Sequence, residues 1–379
     1  MLKKNIKRFL LLFVSFIIFF CFAELLFRVF FDEPSNVIVR KNNEILMNFN
    51  KHTAINKSHP EEGNVYIETP AGRRLNPNIE AIIENHSLSK KRVVIKTNSI
   101  GYRNAEILPK TEKLRILFLG DSIIFGDYLN EEETIVKLTE IYLKNKDIQN
   151  ETINAGIGST GLANYLTVLT ESGLKLQPNI VLICFYLNDF EQSPGVKMIN
   201  PPKYLNWSWL GRLIYRNISI LKSNYKNHNN ISNRKIKICF EELKKQYNNP
   251  QKEFHKLIIA NMRDWGLSWS SIAWQDSEKI FEEFKKLSIE NSFKLMIAMF
   301  PVREQITIKD ADDYPQKQMN RLCENMQIPY LDLLPILKKA VVDYNFEINN
   351  LFYDQCHHTP LGNEIIAKSI ADFIYNSVK

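Results

Sequence analysis

The hydrophobic pattern of the chain changes three times along its length. Phe9 to Ala23 reads FLLLFVSFIIFFCFA, and the apolar text resumes after Glu24 as Leu25 to Phe27 and after Arg28 as Val29 to Phe31. A segment apolar all round, rather than along one stripe, predicts a helix that faces lipid or core on every side. Residues 35 to 110 are polar and carry Pro60, Pro70, Pro77 and Pro109 with no long helical period. The short β-type runs Asn64 to Glu68 and Arg92 to Lys96 predict an extended lead-in there.

Beyond residue 110, short apolar runs alternate with helical spacing. Leu114 to Leu119 (LRILFL) is a strand ending on Gly120, and Thr152 to Ala155, Ile180 to Tyr186 (IVLICFY), Lys294 to Phe300 (KLMIAMF) and Pro329 to Leu333 are the later strand candidates. Helical spacing covers Glu131 to Leu143 and residues 161–174, 278–290, 315–327 and 360–376. This alternation predicts a parallel sheet of about five strands covered on both faces, a three-layer α/β/α domain. Functional groups in such sheets sit beyond the carboxyl ends of the strands. The alternation lapses between Asp189 and Ser277, where NWSWLGRLIYRNISILKS is the amphipathic part. A helical insertion at about 190–277 is expected, with a lid and a surface decoration both open as its role. The expected organisation is a stub and anchor helix at 1–32, the lead-in at 33–110 and the α/β domain at 111–379.

Location follows from the N-terminus. Lys3, Lys4, Lys7 and Arg8 precede the apolar run, and a charged segment before such a run is an export signal. The uninterrupted stretch is short of the roughly 20 residues that span a bilayer. Leu25 to Phe31 restore the length if Glu24 and Arg28, four apart on one helix face, pair or snorkel at the interface. Cleavage after Ala23, with Cys21 as the other small residue, would instead release a secreted protein. The apolar text beyond Ala23 favours an uncleaved, single-pass membrane anchor. Its basic flank keeps the N-terminus cytoplasmic and puts the remainder outside.

Composition narrows the classes further. With 45% hydrophobic and 24% charged residues in 379, the chain is globular rather than disordered or collagen-like. The 49 Lys+Arg against 42 Asp+Glu leave +7, but no basic cluster with interleaved aromatics tracks a groove, so no nucleic-acid partner is expected. Acidic glycans and anionic headgroups remain compatible with that charge. The five cysteines are scattered, without a CxxC pair, and are expected as free, mostly buried thiols.

Two groups carry chemistry most directly. Gly120-Asp121-Ser122 follows the first apolar strand, with Gly126 shortly after, and a serine on a strand-to-helix turn presents its Oγ at the sheet edge. This is not a GxSxG elbow, since position 124 is Ile, and Gly-Asp-Ser is also ordinary turn chemistry. The second group is Asp354-Gln355-Cys356-His357 before a C-terminal helix, with Thr359 as N-cap and Pro360 at the first helical position. Asp354 can hold the Nδ1 side of His357 and leave Nε2 for a serine, with His358 as the flanking residue. Solvated loop residues or metal ligands are the competing reading of the histidine pair. No further ligand of suitable spacing stands nearby, so neither metal nor cofactor is expected.

Two further groups end strands. Asn154-Ala155-Gly156-Ile157-Gly158-Ser159-Thr160 follows the second, and Tyr186-Leu187-Asn188-Asp189 ends the third. A glycine N–H and an asparagine amide are neutral donors of the kind that stabilise an oxyanion, although each turn alone is unremarkable. All four groups fall at successive sheet edges, which independent turns would not be expected to do.

Over about residues 97–376 the chain resembles the SGNH/GDSL hydrolases, a family named for Ser, Gly, Asn and His in four blocks. The resemblance implies a flavodoxin-like fold with Ser122 as nucleophile, Asp354 and His357 completing a triad, and Ser122, Gly158 and Asn188 forming the oxyanion hole. Gly156 stands close to Gly158, and Tyr186 replaces the first glycine of the family's Gly-x-Asn-Asp block. Asp121 and Asp189 are supporting residues on this comparison. Thr97-Asn98-Ser99-Ile100-Gly101-Tyr102-Arg103 and Pro301-Val302-Arg303-Glu304-Gln305 also resemble segments of exported, membrane-anchored members. The implied activity is ester cleavage through an acyl-serine, on an acyl-ester substrate of an envelope glycan or lipid. Two alternatives remain at this point: an O-acyltransferase for surface polysaccharide, supplied by a membrane acyl-transfer partner, and a non-catalytic binding or assembly module.

Overall fold

The computed structural model describes residues 2–30, 36–41, 44–48, 65–69, 72–190, 208, 210–211, 214–215, 218, 232–249 and 251–379. The N-terminal run forms one helix, Leu2–Phe30. Its segment Ile6–Phe30, 25 residues, is long and apolar enough to cross a bilayer and is almost wholly exposed. Glu24 is the exception. Its carboxylate accepts from Arg28 Nε at 3.0 Å, from Ser208 Oγ at 2.8 Å and from the Leu210 N–H at 3.1 Å, so the acidic group in the apolar helix is neutralised and hydrogen-bonded.

The lead-in folds into antiparallel strands. These are β1 (Asn36–Lys41), β2 (Glu44–Asn48), β3 (Tyr66–Thr69), β4 (Gly72–Leu75), β5 (Ile79–Glu84) and β6 (Val93–Lys96). One sheet has the order β2-β1-β5-β6, and β3-β4 is a separate hairpin. The alternation of Val93 and Ile95 inward with Val94 and Lys96 outward gives the sheet one buried face.

Behind it lies the parallel sheet of β7 (Leu114–Leu119), β8 (Asn150–Asn154), β9 (Ile180–Tyr186), β10 (Lys294–Phe300) and β11 (Tyr330–Asp332), in the order β11-β10-β9-β7-β8. Every neighbouring pair is parallel. All positions of the central β9 are buried, as continuous apolar text on a doubly covered strand requires. Helix Pro360–Val378 packs on Ile135–Lys144 and on Leu333–Asp343, while Ser271–Glu290 packs on Leu162–Val168 and Tyr314–Met326. The expected three-layer α/β/α architecture is therefore present. The chain leaves β7 for β8 on one side and returns to β9 on the other, so the carboxyl end of β7 faces a topological switch point.

Two local differences from the sequence reading stand out. Helix Leu333–Asp343 was not expected, because Leu333-Leu334-Pro335-Ile336-Leu337 continues the apolar text of β11. Asp332 ends the strand by capping the helix, its Oδ1 accepting the Leu334 N–H at 2.9 Å. In the insertion, helices Ser232–Gln246 and Glu253–Ala260 precede a turn, Trp265–Trp269, whose two tryptophans are fully buried against Phe254. Most of NWSWLGRLIYRNISILKS lies outside the described residues.

Candidate active site

The turn that carries Ser122 is built by its own short helix, Ser122–Phe125. Asp121 caps it, with Oδ1 accepting the Ile123 N–H at 2.9 Å, and Gly126 ends it in a left-handed conformation (φ 67°). Ser122 is thereby raised, partly exposed, at the carboxyl end of β7. The Asp121 carboxyl is buried, which pushes its pKa up to about 6. Its place is under the turn, bonded to backbone.

The partner turn comes from just before the last helix. Asp354 Oδ1 accepts the backbone N–H groups of Cys356 at 2.9 Å and His357 at 2.8 Å, a local side-chain turn that fixes the carboxylate. Its Oδ2 then lies 2.8 Å from His357 Nδ1, and His357 Nε2 lies 2.9 Å from Ser122 Oγ across a separation of 235 residues. Tyr128 meets the imidazole edge-on, with ring centroids 4.9 Å apart. Burial would raise Asp354, but the His357 ring and the two N–H bonds outweigh it and hold the carboxyl well below its usual range. For His357 burial acts downward, and Cys356 and the Asp354 carboxylate outweigh it, leaving the ring well above its usual value. The Asp354 carboxylate can only accept, so Nδ1 carries the hydrogen between them, and in the neutral ring Nε2 is the acceptor that faces Ser122 Oγ.

The two glycines after β8 differ. The Gly156 N–H is taken by Asn154 Oδ1 at 3.0 Å, and a Cβ there would fall 2.4 Å from the Phe125 nitrogen, so Gly156 permits close packing on the helix that begins at Ser122. The Gly158 N–H has no partner among the described residues, and neither has the Ser122 N–H. Asn188 stands at the end of β9 with one amide hydrogen directed to Asp264 Oδ1 at 3.2 Å. The second hydrogen of that amide has no acceptor among the described residues. Asp189, beside it, is buried and ties Tyr165 Oη (2.7 Å) to the Tyr186 N–H (2.9 Å), so it braces the β9 turn from below. Burial raises its pKa well above the usual carboxyl value.

Three contributions were not found from the sequence. Asp264, from the insertion, accepts from Asn188 with one oxygen and from Gln355 Nε2 with the other at 2.7 Å, which ties the amide to the histidine turn. Arg103, buried, donates to the carbonyls of Phe125 (2.7 Å), Gly126 and Leu129 (2.6 Å) and so clamps the loop that follows Ser122. The hairpin β3-β4 brings Arg73 Nη1 to the Gly158 carbonyl at 3.3 Å and sets the Tyr66 ring against Phe125. Arg103 had a signal as part of the Thr97 to Arg103 segment, and the hairpin only through the β-type run Asn64 to Glu68, which marked a strand and not its place at the site.

His358 points the other way. It is fully buried between the rings of Phe352 and Phe300, and burial pushes its pKa down to about 3, so it is a neutral core residue. Cys356 Sγ lies 3.4 Å from His357 Nδ1, and the donor atoms of Asp354, Cys356 and His357 lie within 4.8 Å of one another. These are the described residues closest to a metal-ligand set. Two of the three donors are bonded to each other, and burial pushes the Cys356 thiol up to about 11, away from the thiolate that a metal prefers. All five cysteines are free.

No protein-family model matches the chain, and no curated protein matches it in sequence. Among solved structures, the chain is similar to the acetyl xylan esterase AlAXEase at 16% identity, over 70% of this chain and 100% of that one, with a TM-score of 0.39. It is similar to a two-domain esterase (CEX) active on acetylated mannans at 14% identity, over 70% and 49% of the two chains, with a TM-score of 0.40. A third similar structure is a lipolytic protein of the G-D-S-L family from Desulfitobacterium hafniense DCB-2, at 11% identity over 69% and 99%, with a TM-score of 0.37.

Proposed function

We propose that the chain is a serine esterase, tethered by its N-terminal helix and acting outside the cytoplasm on acyl esters of an envelope glycan or lipid. The observation that carries this reading is the relay of Ser122 Oγ, His357 and Asp354, with contacts of 2.9 and 2.8 Å, beside two N–H groups that are unbonded among the described residues. In the proposed reaction His357 Nε2 takes the Ser122 proton as Oγ attacks the acyl carbon. Asp354 holds Nδ1–H and stabilises the imidazolium. The Ser122 N–H, the Gly158 N–H and the free Asn188 amide hydrogen receive the oxyanion. The imidazolium protonates the departing alkoxide, and water, deprotonated by the same ring, then releases the acyl group from Ser122 as a carboxylic acid.

The test is fluorophosphonate labelling of the full chain with peptide mapping, alongside turnover of small acetate esters. Label on Ser122, and turnover reduced by roughly 10,000-fold or more in Ser122→Ala, are expected. Unchanged turnover in that variant overturns the reading. An isotope-labelled acyl donor then shows whether the group leaves as free acid, as proposed, or on a glycan hydroxyl.

A further inference from the structure

The lead-in hairpin reaches the Gly158 turn with a side chain that has no structural employment at its tip. Tyr66 Oη makes no hydrogen bond among the described residues, although the rest of the residue is held on both sides. Its ring meets Phe125 edge-on at 5.7 Å, and Phe125 belongs to the nucleophile helix itself. On the other side the Arg73 guanidinium stands 5.2 Å from the ring centroid while holding the Gly158 carbonyl.

Where the hydroxyl stands follows from Gly158. A Cβ built on that glycine would lie 2.5 Å from Tyr66 Oη and 3.3 Å from Cζ, so the phenol tip occupies the space a side chain would fill. Nitrogen and Cβ on one Cα are about 2.5 Å apart. Tyr66 Oη therefore lies within about 5 Å of the Gly158 nitrogen, and an oxygen bonded to that N–H can accept from both groups at ordinary length. Burial, and after it the Asp127 charge, hold the phenol well above its usual pKa, so it keeps its proton throughout the working range.

We propose that Tyr66 Oη–H, supplied by the lead-in hairpin, is a further hydrogen-bond donor to the oxyanion formed at Ser122, beside the Gly158 N–H. The inference rests on the esterase reading above. It makes Tyr66 a catalytic residue and the hairpin part of the active site rather than a spacer. No bond is made or broken at the phenol: it donates one hydrogen bond as negative charge develops on the carbonyl oxygen, and retains its proton when the carbonyl re-forms.

Tyr66→Phe keeps the ring and its two contacts and removes only the hydroxyl. In the full chain in detergent, with para-nitrophenyl acetate as substrate, kcat is expected to fall about 10- to 100-fold with KM within about twofold. Affinity for methylboronic acid, which forms a tetrahedral anion on the serine, is expected to fall with kcat. Tyr66→Leu, which loses the ring as well, is expected to show the same loss of kcat. Wild-type kcat in Tyr66→Phe, a change in KM alone, or a loss confined to Tyr66→Leu would each overturn the proposal. Ser122→Ala measured in parallel separates the two readings. If it is inactive while Tyr66→Phe turns over normally, only the phenol assignment fails; if it is active, the esterase reading fails.

Discussion

The loops at the carboxyl edge of the parallel sheet and the antiparallel lead-in both serve the site, but by different means. Ser122, Asn188 and the Asp354–His357 turn are set by backbone a few residues away: a cap at Asp121, a brace at Asp189, two N–H bonds to one carboxylate. The lead-in acts at long range. Arg73 holds Gly158 at a separation of 85 residues, Asn104 Oδ1 holds the Asn154 N–H at 50, and Arg103 holds Leu129 at 26. Local turns can place a nucleophile and a base separately. Holding their loops at the 2.9 Å needed between Ser122 and His357 calls for a second layer, and here that layer is the lead-in and the insertion.

The sharpest way to break this comparison is Arg103→Ala. The variant leaves the buried carbonyls of Phe125 and Leu129 without their donor, and that of Gly126 with only the Leu129 N–H at 3.0 Å. Two unmet buried acceptors at about 1 to 3 kcal/mol each give an expected loss of roughly 2 to 5 kcal/mol, together with the geometry of the loop after Ser122. Thermal denaturation should show a large fall in melting midpoint, and the folded fraction should hydrolyse acetate esters poorly. Arg103→Lys should recover little, because one ammonium cannot reproduce the planar fork that reaches these carbonyls. A wild-type midpoint in Arg103→Ala would mean that the sheet-edge loops hold themselves, and the long-range layer would lose its role.

A smaller effect is expected at Asp264, the link from the insertion. Its two oxygens accept from the Asn188 and Gln355 amides, so in Asp264→Asn one of those amides must face another N–H donor. The Asn188 amide is then free to rotate out of position. A fall in kcat of about tenfold is expected with KM little changed, against about 100-fold for Asn188→Ala, where the donor itself is gone. Equal kcat for Asp264→Asn and the wild type would show that β9 alone orients the amide.

The same division explains what could be read beforehand. β7, β9 and β10 were legible to the residue because their apolar runs have no helical period, and β8 and β11 were legible with slightly different ends. Ser122, Asp354 and His357 could be picked out because each sits in a turn whose chemistry is local. The lead-in strands β1, β2, β4 and β5 went unseen: in Gly72–Leu75 or Ile79–Glu84 the inward residues take meaning only from a partner strand. Gly156 and Gly158 stand in one turn, and only the positions of Phe125 and Tyr66 distinguish packing from an open N–H. Asp264 and Arg73 have no local signature, since their partners lie 76 and 85 residues away.

The adjacent histidines give the comparison its finest test. His357 and His358 are neighbours in sequence, yet one ring faces Ser122 and the other is enclosed by Phe352 and Phe300 with both nitrogens unbonded among the described residues. Leaving ring nitrogens buried and unmet is costly, so replacing His358 with an apolar ring removes a penalty while adding modest crowding. His358→Phe is accordingly expected to change stability by no more than about 1 to 2 kcal/mol and kcat by less than about twofold, whereas His357→Ala should leave almost no turnover. The measurement is acetate-ester kinetics and a melting curve on the two variants side by side. A large loss of kcat in His358→Phe would mean that the two rings act together, and that a residue enclosed in the core takes part in the chemistry at the sheet edge.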